Sequence, residues 1–172
     1  MEDKLRHIFS LVNEWLKFAE AKNAALIAFS GAGIWGVLQL LKDANRLTDY
    51  KAVLICILIT LMACLIVSLS SFVARKINKD TQKQKIENSV ELNLLFFGHI
   101  NKLDSQDYLK ALYKKYGKKE EFSSCSSYEK DLANQIVINA EIAMTKCTRF
   151  NQSITILFCG LIVSTIGLII IA

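Results

Sequence analysis

The sequence predicts an all-α membrane protein in which three transmembrane helices are continuous with a cytosolic helical bundle. The 172-residue chain contains no proline, the commonest helix breaker, and 52% of its residues are hydrophobic. Three runs also lack Asp, Glu, Lys, Arg and His altogether. These runs are Ala24–Leu41, Ala52–Ala74 and Ile154–Ala172, with 18, 23 and 19 residues.

The length of the three runs indicates membrane spans. A helix needs about 20 apolar residues to cross a hydrocarbon core roughly 30 Å thick. The second and third runs meet that length, whereas the first is shorter and glycine-rich. The alternative is a soluble core with three buried helices, each with almost no polar face. We therefore predict spans at 24–41, 52–74 and 154–172 within a single domain.

The basic residues predict the orientation of these spans. Segment 1–23 has four Lys and Arg residues, segment 42–51 has three and segment 75–153 has fourteen. Because basic residues collect on the cytosolic side, the first and last of these segments are expected in the cytosol. The hairpin 42–51 and the C terminus are then expected to face outward. The first 23 residues lack the apolar core of a signal peptide.

The first element, residues 1–23, is predicted to be an amphipathic helix. Apolar residues repeat at intervals of three and four, and no proline or turn cluster precedes the first span. One helix is therefore expected to cross the boundary and to transmit movement from the cytosol into the membrane. The apolar stripe comprises Leu5, Ile8, Phe9, Val12, Trp15, Leu16 and Ala19.

The helix of the second span is also predicted to continue beyond residue 74, toward a turn near 101–106. Ile86, Val90, Leu94 and Phe97 follow a three-to-four repeat along it. Ser105 is expected to cap a short helix over 106–116.

Segment 117–128, GKKEEFSSCSSY, is the most loop-like part of the chain. A long helix is predicted from Tyr128 to Phe150, and only three polar residues separate it from the third apolar run. This last cytosolic helix is therefore expected to continue into the membrane.

No motif for catalysis or metal binding is present in the sequence. GAGIWG at 31–36 matches GxGxxG by its letters, but it lies inside an apolar run and not between a strand and a helix. His7 and Ser10 lie one turn apart without a sign of an oxyanion hole. The five cysteines are odd in number and scattered, which favours unpaired side chains in a reducing compartment.

Small residues predict close helix packing in the membrane. Alanine and glycine recur every four residues in the first span, and a shorter pair occurs in the third. Packing within one chain and contact between chains explain this pattern equally well. The residues are Ala24, Ala28, Ala32 and Gly36 in the first span, and Gly160 and Ser164 in the third.

A row of small polar residues along the second span has two explanations. The residues are Thr60, Cys64, Ser68 and Ser71. They could line a narrow polar path in an oligomer. Alternatively, their hydroxyl groups bond to carbonyls of their own helix, which is the ordinary behaviour of Ser and Thr and is slightly favoured.

Seven polar residues of the cytosolic parts are candidate ligand contacts. On the last cytosolic helix, amides could bind a base edge and a lysine could meet a phosphate. Ile142 interrupts the row that Gln135, Asn139 and Lys146 form on this helix. The ordinary alternative is that this helix face is simply solvated. The candidates are Lys22, His99, Asn101, Lys102, Gln135, Asn139 and Lys146.

Three stretches resemble the transmembrane effector family of Pycsar anti-phage systems. They are AEAKNAALIAF at 19–29, LLFFGHI at 94–100 and DLANQIVINAEIAMTKCTRFN at 131–151. The order of helix, two-span hairpin, cytosolic helices and final span also matches. The chain departs from the family in SFVARK at 71–76, where members often carry a proline. Positions on the family's pattern are Lys22, Phe97, Gly98, His99, Gln135, Asn139, Ala143 and Lys146.

The resemblance implies a bacterial inner-membrane effector that senses a cyclic nucleotide from a partner cyclase and then impairs the membrane. It implies no enzyme and no cofactor besides the activating nucleotide. A homo-oligomer is expected, because three helices are too few to enclose a pore alone. The alternative is a non-gated scaffold or anchor that recruits a cytosolic partner through residues 75–153.

Overall fold

The described part of the chain forms five helices. The computed structural model describes residues 1–42, 50–73, 92–117 and 125–171. No strand occurs among these residues, and the predicted all-α class is confirmed. The helices are α1 (Glu2–Lys42), α2 (Lys51–Ser70), α3 (Phe97–Ile100), α4 (Ser105–Tyr116) and α5 (Ser127–Ile171).

The chain divides into two compact units, and α1 and α5 contribute to both. The head unit comprises Met1–Ala19 and Arg75–Thr145, and the membrane unit comprises Glu20–Ala74 and Lys146–Ala172. Within the described ranges three helices, α1, α2 and α5, are long and apolar enough to cross a membrane, as the three apolar runs predict.

Helix α1 is continuous over 41 residues. Glu2 and Asp3 lie in its first turn and Lys42 in its last, which suits the positive and negative ends of the helix dipole. The predicted passage from an amphipathic helix into the first apolar run without a break is therefore confirmed.

Helix α5 is also unbroken, over 45 residues. It starts with a reciprocal cap, because the Glu129 N–H donates to Ser126 Oγ (3.2 Å) and the Ser126 N–H donates to Glu129 Oε2 (3.1 Å). From there α5 continues through Asn151–Ser153 into the third apolar run, as predicted.

The prediction for the end of the second span is wrong. Helix α2 stops at Ser70, whereas the sequence predicts a helix past Ala74. Its last turn tightens because Ser70 Oγ donates to the Val67 carbonyl (2.7 Å) and the Ser71 N–H donates to the Ser68 carbonyl (3.1 Å). The predicted continuation through Ile86 and Val90 lies outside the described residues.

The cap of α4 is one residue earlier than predicted. Asp104, not Ser105, is the N-cap, and its Oδ2 accepts a hydrogen bond from the Gln106 N–H (3.2 Å). A carboxylate at this position is favoured further by the helix dipole. Segment 118–124, within the predicted loop, lies outside the described residues.

The core of the head unit is formed by the apolar stripes of α1, α4 and α5. Trp15 departs from its stripe, since it is 44% exposed, and its ring packs 5.5 Å from that of Phe97. The buried residues include Leu5, Ile8, Val12, Tyr108, Leu109, Leu112, Ala133, Ile136 and Ala140.

A buried carboxylate ties α4 to the start of α5. The Tyr113 hydroxyl donates to Glu129 Oε2 over 2.9 Å. Burial alone would raise the pKa of Glu129, but hydrogen bonds from the Ser126 N–H and the Tyr113 hydroxyl outweigh it and lower that pKa. Burial and the bond to Glu129 both raise the pKa of Tyr113. The charged carboxylate is thus the form that stabilises the head unit.

Substitution of Tyr113→Phe is expected to lower the free energy of unfolding by about 1.5–3 kcal/mol at neutral pH, the range for a hydrogen bond to a charged group. Glu129 contributes stability above its ordinary pKa of 4.5, and this contribution is lost as pH falls through the lowered folded pKa. Thermal unfolding of purified protein between about pH 7 and pH 3 measures both effects.

The variant should lose less stability on acidification than the parent protein, because its Glu129 has lost one stabilising donor. Tyr128→Phe is the matched control, since Tyr128 is 47% exposed. Equal acid dependence in the Tyr113 variant and the parent would contradict the assigned role of Glu129.

Candidate functional site

Lys146 is a buried cation that joins the three helices of the membrane unit. It belongs to α5 and is 8% exposed. Its Nζ lies 3.3 Å from Glu20 Oε1 on α1 and donates to the Ser71 carbonyl, just past α2, over 3.3 Å. The same Nζ lies 4.5 Å from the centroid of the Phe72 ring.

A second contact in this region links α1 to α5. Asn23 is fully buried, and its Nδ2 donates to the Lys146 carbonyl over 3.1 Å. Glu20 and Asn23 lie three residues apart on α1 and therefore on one helix face. Both ends of Lys146, its backbone carbonyl and its ammonium group, are thus held by α1.

The chemistry of this cluster is that of a helix cap and an ion pair. The Ser71 carbonyl lies at the end of α2, where carbonyls lack intrahelical partners, and a lysine is a common substitute donor. Glu20 keeps 46% of its side chain exposed, so water weakens its ion pair with Lys146. We call Glu20, Asn23, Ser71, Phe72 and Lys146 the lysine clamp.

Lys22 lies beside the clamp on α1 and faces a ring of α5. Its Nζ is 5.4 Å from the centroid of Phe150, within range of a cation–π contact. Burial raises the pKa of the nearby Cys147 thiol, and the charge of Lys22 opposes that rise. Lys22 and Lys146 are the two predicted ligand residues that belong to the membrane unit.

The other predicted ligand residues lie in the head unit, several of them in structural contacts. His99 Nδ1 accepts from the Asn93 N–H over 3.1 Å, which closes the turn before α3. Asn139 Nδ2 donates to Asn13 Oδ1 on α1 over 2.8 Å. Lys102 and Gln135 are exposed, and Asn101 is half-buried with no described partner for its Oδ1.

A seam of buried polar groups runs through the membrane unit. Ser30 Oγ donates to Cys64 Sγ (3.4 Å), Ser68 Oγ to Ser153 Oγ (3.0 Å), and Ser153 Oγ to the Cys64 carbonyl (3.5 Å). All four residues are 0% exposed. Hydroxyl groups without water find partners on neighbouring helices, which fixes the register of α1, α2 and α5.

The polar row of the second span is part of this seam. Cys64, Ser68 and Ser71 are buried within their own chain, and Thr60 Oγ1 donates to the Cys56 carbonyl one turn earlier (2.9 Å). In this arrangement the polar row faces α1 and α5. The hydrogen bonds between these helices would have to break before the row could be exposed. A pore-lining role stays a prediction.

The two sets of small residues have different surroundings. On α5, Gly160 packs against Thr60 of α2 so closely that an added methyl group would overlap the Thr60 side chain, and Ser164 is buried. On α1, a Cβ added at Gly36 would meet no described atom within 4 Å apart from its chain neighbours and the backbone of its own helix. Ala24, Ala28 and Ala32 are exposed. The α5 set therefore packs within the chain, whereas the α1 ridge is open to a neighbour.

A matched pair of substitutions tests this difference. Gly160→Ala is expected to destabilise the chain by about 1–3 kcal/mol, because the methyl group overpacks the α2 contact. Gly36→Ala is expected to leave it unchanged or about 0.5–1 kcal/mol more stable, because alanine favours the helix interior. Thermal unfolding in detergent measures both, and equal destabilisation by the two changes would contradict the observed packing.

The sequence did not single out Glu20, Asn23, Phe72, Ser30 or Ser153. A usable signal existed for Asn23, since an amide at the edge of an apolar run must find a hydrogen-bond partner. The i, i+3 spacing of Glu20 and Asn23 places both on one face of α1. The partners on other helices give no signal in one sequence.

Comparison with known proteins gives one consistent result. The family model described as PycTM, Pycsar effector protein domain, matches residues 4–171. The Pycsar effector protein RsPycTM of a Rhizobium species is 34% identical over 136 residues, covering 78% of this chain and 75% of that protein. PtPycTM of Propioniciclava tarda, also a Pycsar effector protein, is 27% identical over 158 residues, covering 90% and 72%. No solved structure matches the chain.

Proposed function

Because the chain belongs to the Pycsar effector family of transmembrane anti-phage proteins, we propose that a cyclic nucleotide from a partner cyclase activates it. The activated protein then impairs the bacterial inner membrane as a homo-oligomer. The matching family is described as an effector family.

The observation that carries this proposal is the continuity of α1 and α5. Each helix contributes residues to the head unit and to the membrane unit without a proline or a break. A continuous helix is stiff along its axis, whereas a flexible linker absorbs movement. A ligand that shifts the head end of either helix would therefore act on the membrane unit.

The lysine clamp supports a gated mechanism. It holds the end of α2 to α1 and α5 through one cation, so a small displacement of α1 or α5 changes several contacts at once. The ligand contacts predicted from the sequence stay predictions, and the gated mechanism does not require them; they are Lys22, His99, Asn101, Lys102, Gln135, Asn139 and Lys146. No resident cofactor is part of this mechanism.

The open ridge of α1 supports oligomerisation. Ala24, Ala28, Ala32 and Gly36 offer a smooth surface on which a second helix can approach closely. We propose that copies of the chain meet there in the membrane. The N terminus and the head unit are proposed to be cytosolic, with the C terminus external, by the distribution of basic residues.

Membrane potential in bacteria tests the proposal. The chain is co-expressed with cyclases that make cyclic AMP, GMP, CMP or UMP, and a potential-sensitive dye reports the inner membrane. One cyclase is expected to collapse the potential, and the chain alone or with an inactive cyclase is not. An unchanged potential with all four would contradict the proposal and favour a non-gated scaffold.

A further inference from the structure

A cavity of about 370 Å³ lies on the head unit between the first turns of α1 and the end of α4. Its size falls within the range of roughly 300–1,000 Å³ typical of small-molecule sites. None of its residues was predicted from the sequence as a ligand contact. The cavity is lined by Asp3, Lys4, His7, Ile8, Leu95 and Tyr116.

The residues around the cavity combine apolar groups with charged ones. Ile8 and Leu95 supply aliphatic surface and Tyr116 supplies an aromatic ring. Lys4 is held in place, because its Nζ donates to the Tyr116 carbonyl over 2.7 Å. Since a lysine ammonium carries three donors, Lys4 keeps further donors for a ligand.

The surface that lines the cavity is almost entirely apolar, and Lys4 is its one ammonium group beside one carboxylate, that of Asp3. Lys115 adds a second cation beside Tyr116, and its Nζ donates to the Leu92 carbonyl over 3.3 Å. A ligand with a flat ring and a single negative charge matches this combination of apolar walls and cationic groups.

We propose that this cavity binds the activating cyclic mononucleotide, an inference that rests on the proposed function above. The base lies against Ile8, Leu95 and Tyr116, and the cyclic phosphate pairs with Lys4 and His7. Asp3 accepts a hydrogen bond from the ribose hydroxyl or from an amino group of the base. Four of the six lining residues belong to α1, so the ligand acts directly on a helix that continues into the membrane unit.

Calorimetric titration of the full chain in detergent tests the site. The probes are the 3′,5′-cyclic forms of CMP, UMP, AMP and GMP, with inorganic phosphate as a further probe. Lys4→Gln is compared with Lys110→Gln, which makes the same charge change at an exposed α4 residue outside the cavity. Leu95→Trp places a larger side chain in the wall of the cavity and is expected to fill it. Leu95 itself is 42% exposed.

The expected result is that one nucleotide binds, with affinity reduced about tenfold or more by Lys4→Gln and by Leu95→Trp and unchanged by Lys110→Gln. Unfolding temperatures show that each variant is folded. If the parent binds a nucleotide and Leu95→Trp, folded, binds it equally well, the cavity is wrong and the proposed function stands. If no nucleotide binds the parent, or inorganic phosphate binds as tightly, the cavity proposal fails, and membrane potential then judges the function separately.

Discussion

Insertion of seven glycine and serine residues between Ala19 and Glu20 is expected to abolish nucleotide-dependent membrane damage while nucleotide binding persists. The insertion falls at the boundary between the two units, so the contacts within each are kept. It replaces a stretch of continuous helix by a flexible coil, which cannot transmit a displacement of α1. The expected loss is at least about tenfold in the rate of dye release from liposomes, the effect of removing about 1.4 kcal/mol of coupling.

The matched control inserts seven alanine-rich, helix-forming residues at the same place. Seven residues are close to two helical turns, so this insertion keeps α1 stiff and nearly keeps its phase. It also shifts α1 by about 10 Å along the unbroken α5, so some activity is lost with the displaced contacts. Less dye release is expected from the glycine variant than from this one, and the difference measures the effect of flexibility. Dye release that survives the glycine insertion at the parental rate would reject mechanical coupling through α1.

Substitution of Lys146→Met is expected to lower the stability of the membrane unit strongly. Methionine keeps much of the apolar stem but loses the hydrogen bond to the Ser71 carbonyl, the Glu20 ion pair and the Phe72 contact. These contacts together are worth about 2–3 kcal/mol. For a chain of this size the unfolding temperature should fall by about 5–10 °C.

Glu20→Gln is the informative comparison for the lysine clamp. Because Glu20 is 46% exposed, its ion pair contributes little, and the loss should stay below about 1 kcal/mol. The Ser71 and Phe72 contacts remain in this variant. Equal effects of the two substitutions would show that Lys146 acts through the ion pair and not as the cap of α2.

The helices that cross the boundary between the units could be predicted because their determinants are local. The apolar repeat of residues 5–19 and the absence of proline specify α1, and the same reasoning gives α5 from residue 128 onward. Membrane spans follow from length and composition, which single residues rarely override.

The end of α2 could not be predicted, because it depends on a distant residue. Nothing in SSFVARK forbids a helix, since the stretch has neither glycine nor proline. The helix stops where Ser70 bonds backward and where Lys146, 75 residues away, supplies a donor for the Ser71 carbonyl. Such a cap appears only when α5 is in place beside α2.

Only part of the candidate site stands out in the sequence, because its contacts also depend on residues that are distant in the chain. Lys146 and Lys22 stand out as cations near apolar runs, but their partners Glu20 and Phe150 do not. His99 was predicted as a ligand contact, yet the turn before α3 uses its Nδ1. The residues around the cavity carry no shared pattern, because Leu95 and Tyr116 reach α1 only through the fold.

Dye release from liposomes tests the central claim most directly. The purified chain is reconstituted at known orientation, and the cyclic forms of AMP, GMP, CMP and UMP are added one at a time. The account predicts no release without nucleotide and rapid release with one nucleotide only. No release with any of the four from correctly inserted protein, or equal release without them, would contradict a nucleotide-gated membrane effector.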